Sequence, residues 1–74
     1  MTVTLKNEIV ETQHGNFYVY INQEKFETTF KVGIAKEIAP GLCTYPINEI
    51  WYNEMDKAKR RYAYLKREAK KGRW

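Results

Sequence analysis

The sequence predicts an α+β fold: a three-stranded antiparallel β-meander followed by one long C-terminal helix packed on the apolar face of the sheet. Three observations point to it. Residues 1–33 hold three β-forming runs separated by polar turns, residues 34–46 contain both prolines, and residues 47–71 contain neither proline nor glycine. Within that last stretch Trp51, Met55, Ala58, Tyr62, Leu65 and Ala69 recur at alternating spacings of four and three, the stripe of an amphipathic helix.

The first strand rests on Val3, Leu5 and Ile9, apolar residues at odd positions among polar neighbours, with the alternation weakest near Asn7. Thr12-Gln13-His14-Gly15-Asn16 supplies the turn that ends it, with Gly15 free to take a positive φ. Phe17-Tyr18-Val19-Tyr20-Ile21 is an unbroken β-forming run of the kind found in central strands. Asn22-Gln23-Glu24-Lys25 forms the second turn, after which Phe26, Thr28, Phe30 and Val32 alternate with Glu27, Thr29 and Lys31. Gly33 is expected to end this third strand. Ile34 to Tyr45 then reads as a loop through Pro40-Gly41, with room for one helical turn near Ala35-Lys36-Glu37, and Pro46 closes it.

Asn48 is the expected N-cap of the helix, and Gly72 stands where a C′ residue belongs. Acidic Glu49, Glu54 and Asp56 lie towards its positive end, and Lys70 and Lys71 towards its negative end. A helix of about 24 residues would run about 36 Å against about 23 Å for a seven-residue strand, so roughly eight basic residues should overhang the sheet. Phe17, Val19, Ile21, Phe26, Phe30, Trp51, Met55 and Tyr62 are expected to form one core.

At 74 residues the chain has room for one domain, with a thin core to which its 15% aromatic content contributes most. Cys43 is the only cysteine, which excludes an intramolecular disulfide and argues for a reducing cytoplasm. No run approaches the ~18 apolar residues that span a bilayer, and the first residues lack the pattern of a signal peptide, so neither a membrane nor a secreted location is expected. His14 has no second histidine, the carboxylates are scattered, and no phosphate-cradling or metal-binding motif is present; no enzyme, metal or cofactor is expected.

Charge is distributed unevenly. Residues 1–56 carry four lysines against eight acids, whereas residues 57–74 carry nine lysines and arginines against Glu68 alone. A mildly acidic body with a strongly basic end suits an element that approaches an anionic surface. Lys57, Lys59, Arg60, Arg61, Tyr64, Lys66, Arg67, Lys70, Lys71, Arg73 and Trp74 are the candidate contact residues. Guanidinium and ammonium groups pair with phosphates, and Tyr64, off the apolar stripe, is the candidate for stacking on a base, whereas Tyr62 belongs to the core. The same order of strands and helix occurs in small domains that lay a sheet in the major groove. Here Glu27, Thr29 and Lys31 charge that strand too poorly, and the helix is the expected contact.

The expected function is that of a small non-enzymatic accessory protein binding nucleic acid or a nucleoprotein complex. The competing expectation is an inhibitor or adaptor of the type encoded by phages and mobile elements. Such a protein blocks a nucleic-acid-processing enzyme by covering an acidic surface on it, through hot-spot residue types such as Trp51, Tyr52 and Arg60. The helical stripe also leaves room for a homodimer, though Ala58 and Ala69 make a weak seam.

Overall fold

The computed structural model describes residues 2–24 and 27–74. Strand β1 (Thr2–Thr12) turns at His14 into β2 (Gly15–Glu24), which pairs antiparallel with β3 (Phe30–Ala39). The far side of β3 is shared by a two-residue strand β4 (Leu42–Cys43) and by β5 (Asn48–Tyr52), both antiparallel to it. A helix, α1 (Met55–Lys70), packs on one face of this sheet. The α+β meander with a C-terminal helix is therefore the fold, with an added fourth row of pairing. Phe26, expected in the core, and Lys25, expected in the second turn, lie outside the described residues.

Two boundaries differ from expectation. Gly33 does not end β3; it sits in the strand's centre, where the Tyr20 side chain of β2 lies across it. A β-carbon there would stand 2.5 Å from Tyr20 Cζ, so the glycine marks close approach of a neighbour rather than a stop. Val32, Gly33, Ile34 and Ala35 are consequently all buried, and the segment expected to be loop from residue 34 is the second half of a central strand. Pro40-Gly41 makes the reversal into β4, with Gly41 at φ 78°, as a Pro-Gly turn requires. Pro46 donates no hydrogen bond and falls in the gap between β4 and β5, while Thr44 and Ile47 on either side donate to Lys36 and Ile34 of β3.

The helix begins at Met55, not near Ile47. Ile50, Trp51 and Tyr52 are β-branched or aromatic and pair with Val32, Lys31 and Phe30; the spacing from Trp51 to Met55 imitates a helical turn that the chain does not make. Asn48 is thus a strand residue and not the N-cap. Glu54 occupies that position with extended backbone and no side-chain cap bond. At the other end the expectation for Gly72 holds: φ is 82°, Gly72 N–H donates to Ala69 and Arg73 N–H to Glu68, which together form a Schellman motif. His14 packs against Gly72, leaving no space for a side chain there.

Phe17, Val19 and Ile21 from β2, Val32 and Ile34 from β3, and Ala58, Leu65 and Ala69 from α1 are fully buried, with Val10 and Tyr62 nearly so. Phe30, Tyr52, Met55, Tyr64 and Trp74 pack on the edge of this core. Trp51 is not part of it. The register puts it opposite Lys31 on the face turned away from α1, and its side chain is 49% exposed.

Candidate nucleic-acid interface

The length of α1 decides how its charges are presented. Sixteen residues run about 24 Å, while the ten residues of β2 or β3 run about 33 Å, so the helix fits within the sheet. The expected overhang of basic turns is absent because β5 takes up the residues that would have lengthened the helix. Contact can occur only along the outward side of a docked helix.

That geometry sorts the candidate residues. Arg61 is half-buried, donates from Nη2 to Asn48 Oδ1 at 2.7 Å and stacks 4.8 Å from the Tyr64 ring centroid. Tyr64, expected to be free for stacking, is itself packed against the core and covered by that guanidinium. Lys66 pairs with Glu8 of β1 at 3.0 Å, and the same carboxylate accepts the Tyr62 hydroxyl at 2.8 Å. These bonds from Lys66 and Tyr62 hold the Glu8 carboxyl below the ordinary carboxylate range, while burial and the nearby carboxylate push the Tyr62 hydroxyl well above its usual value. Lys6 reaches over the Tyr62 ring from β1. Arg61, Lys66 and Tyr64 are thus bound up in attaching α1 to the sheet.

Lys57 pairs with Glu54 at 3.1 Å, and Lys71 and Arg73 share Glu68 at 3.6 and 3.2 Å. Arg73 also lies over the ring of Trp74, which packs on the core edge. Lys59, Arg60, Arg67 and Lys70 remain. All four are exposed, and none has an ion pair or hydrogen bond among the described residues. Spacings of one, seven and three put them on one side of the helix around Ala63, whose short side chain leaves the centre of the patch flat. Lys70 closes the strip beside Glu11, Thr12 and Gln13 of the β1–β2 turn, across an open depression.

The chemistry available on this surface is ionic. Among the described residues no three histidine, cysteine, aspartate or glutamate side chains gather as metal ligands would. His14 is occupied by its contact with Gly72, and Cys43 is half-buried in the short β4 strand. No described helix is long and apolar enough to cross a membrane. Fold and surface together define a small β-meander domain with a basic face on its C-terminal helix. Compared with known proteins, the chain matches no family model, no curated protein and no solved structure.

Proposed function

We propose that this chain is a non-enzymatic cytoplasmic accessory protein that holds nucleic acid, free or within a nucleoprotein complex, through the outward face of α1. One observation carries the reading: the cations of the basic end divide into those attached to the protein and a strip of four, Lys59, Arg60, Arg67 and Lys70, with no partner among the described residues. Unpaired cations on a rigid element neutralise phosphates without first breaking internal ion pairs. From Lys59 to Lys70 the strip runs about 17 Å, the length of about five phosphates at the ~3.4 Å per-strand spacing of a duplex. The strip holds lysine and arginine without the asparagine or glutamine that would read adenine, so the reading is mainly backbone contact with little sequence preference.

Titration of a random oligonucleotide at several salt concentrations tests this. Replacing Lys59, Arg60, Arg67 and Lys70 by Gln should flatten the log–log salt dependence by about 3.6 for a duplex or about 2.8 for a single strand, with sequence preference unchanged. Replacing Lys57 and Lys71, already paired, should change it far less. A wild-type chain that ignores the oligonucleotide at low salt overturns the reading. The competing one, an inhibitor or adaptor that covers an acidic surface on a nucleic-acid-processing enzyme, then takes its place.

A further inference from the structure

The face of the sheet turned away from α1 has a surface that the basic helix does not account for. Register sets Ile9, Tyr18 and Ala35 side by side across β1, β2 and β3, and α1 contacts the sheet from the opposite side. Between Ile9, Tyr18 and the β3–β4 turn lies a groove of about 320 Å3, bounded by Glu37, Gly41 and Cys43. Nothing stands within 4 Å of where a Gly41 side chain would begin, so the turn leaves the groove open. Ile9, which lines the groove, is 44% exposed in mid-strand. Apolar area of this kind regains its burial energy only against another molecule.

The charge of this face is the reverse of the helix's. Among the described residues register puts Glu11, Glu24, Glu37 and Glu49 on it against Lys31, which lies over the Trp51 ring at 5.1 Å. The face is therefore net negative in a chain whose total is +4. One Glu37 oxygen accepts a bond from Asn16 at 3.2 Å, and the other accepts none from the described residues. Phosphates would be repelled here, whereas a cation lying along the Tyr18 ring and meeting Glu37 would gain both a charge-assisted bond and a π contact.

We infer that this open face docks a segment of a partner protein in which an arginine or lysine stands beside an apolar side chain. The apolar side chain fills the groove between Ile9 and Tyr18, and the cation meets Glu37 at its wall. A molecule built this way joins a polyanion on its helix to a cationic protein segment on its sheet, two surfaces on opposite sides of one small domain.

The test is an amide NMR titration of the full 15N-labelled chain with two blocked synthetic peptides, one alternating leucine and arginine, the other leucine and glutamate. The leucine–arginine peptide should move amides near Ile9, Tyr18, Glu37 and Cys43. Glu37→Gln should weaken it about tenfold, the value of one charge-assisted bond, and Ile9→Asn should weaken it as well. Both substitutions fall on exposed or half-buried side chains, and a retained amide spectrum establishes that each variant is folded. Replacing Lys59, Arg60, Arg67 and Lys70 by Gln should leave peptide binding intact, which keeps this result independent of the oligonucleotide titration. Equal binding of the leucine–glutamate peptide, shifts confined to α1, or no shift at millimolar peptide overturns the inference. Groove resonances that move with protein concentration alone do so too, and assign the face to a second copy of the chain.

Discussion

The two faces of the sheet are built from the same strands and reach burial by different means. Along β2, Phe17, Val19 and Ile21 point into α1 and are sealed by Ala58, Leu65 and Ala69, whereas Tyr18 and Tyr20, between them in sequence, point the other way. Tyr20 is nonetheless 5% exposed. It lies across Gly33, stacks on Tyr18 with ring centroids 5.4 Å apart and donates its hydroxyl to Glu49 at 2.5 Å. One face is closed by a second layer, the other by a side chain lying flat on a glycine. The difference teaches that an unbroken β-forming run needs no helix on each side, and that the self-covered face is the one left with accessible ring edges and grooves.

The largest contrast should appear between aromatic residues of the two faces. Phe17→Ala removes a fully buried side chain from the two-layer core and should cost about 3–5 kcal/mol, enough to unfold much of a small domain. Trp51→Ala, on the open face, should cost no more than about 1 kcal/mol in urea unfolding, because half the ring is already in water. A Trp51 variant as unstable as the Phe17 variant would show that the open face is sealed in solution.

Gly33→Ala tests the self-covered face directly. The strand backbone accepts alanine, but the added carbon meets the Tyr20 ring, and overpacking of this kind costs about 1–3 kcal/mol. Combining it with Tyr20→Ala should recover part of that loss, since the collision is gone. Strictly additive costs in the double variant would mean that Tyr20 does not lie on Gly33.

What the sequence conveyed follows from the same contrast. Strand alternation and helical periodicity register burial against a second layer, so Phe17, Val19, Ile21, Tyr62 and the Gly72 cap could be read directly. Gly33 reads as a stop because a glycine accommodating a cross-strand ring and a glycine ending a strand look alike without the partner. Trp51 and Met55 stand four apart, which fits a helix and equally fits a strand leading into one; only pairing with Lys31 separates the two. At the candidate interface, composition identified the basic end but not its division. Arg61, Lys66 and Tyr64 are engaged through Asn48, the core and Glu8, residues from 13 to 58 positions away in the chain, a relation no local pattern carries. The open-face groove is not legible because Ile9 stands in the apolar–polar alternation of a strand with one buried face, whereas in the fold it is 44% exposed.

Tyr62→Phe probes the seam where α1 meets β1. Losing the bond to Glu8 should cost about 1 kcal/mol at neutral pH, less than a fully buried charged bond because the carboxylate is part-exposed. The alkaline limb carries the sharper signal. Burial first, and Glu8 second, raise the Tyr62 hydroxyl above its ordinary value of 10.0, so its stabilisation is complete below that value and is lost as pH rises through the raised one. Phenylalanine cannot ionise, and the variant's stability should fall less steeply above pH 10. Tyr20, raised in the same way by burial and Glu49, should keep an alkaline decline in the Tyr62 variant. A Tyr62→Phe curve parallel to wild type would remove the Tyr62–Glu8 bond from the account.

The smallest effect belongs to the carboxylate of that seam. Glu8 is lowered below its ordinary 4.5 by the bond from Lys66 first and that from Tyr62 second, and the sign is opposite to tyrosine's. Its contribution is present above the ordinary value and is lost as pH falls through the depressed one. Glu8→Gln keeps an oxygen for the Tyr62 hydroxyl but ends the ion pair with Lys66, whose side chains are 31% and 39% exposed. Screening at such exposure limits the change at neutral pH to about 0.5 kcal/mol. The informative measurement is the acid limb: below pH 4.5 the variant should lose stability more gradually than wild type, since one carboxylate that must be protonated on unfolding is gone. Superimposable acid transitions would mean that the Glu8–Lys66 pair does not hold α1 on the sheet, and that Lys66 is as free as Arg67 to meet a phosphate.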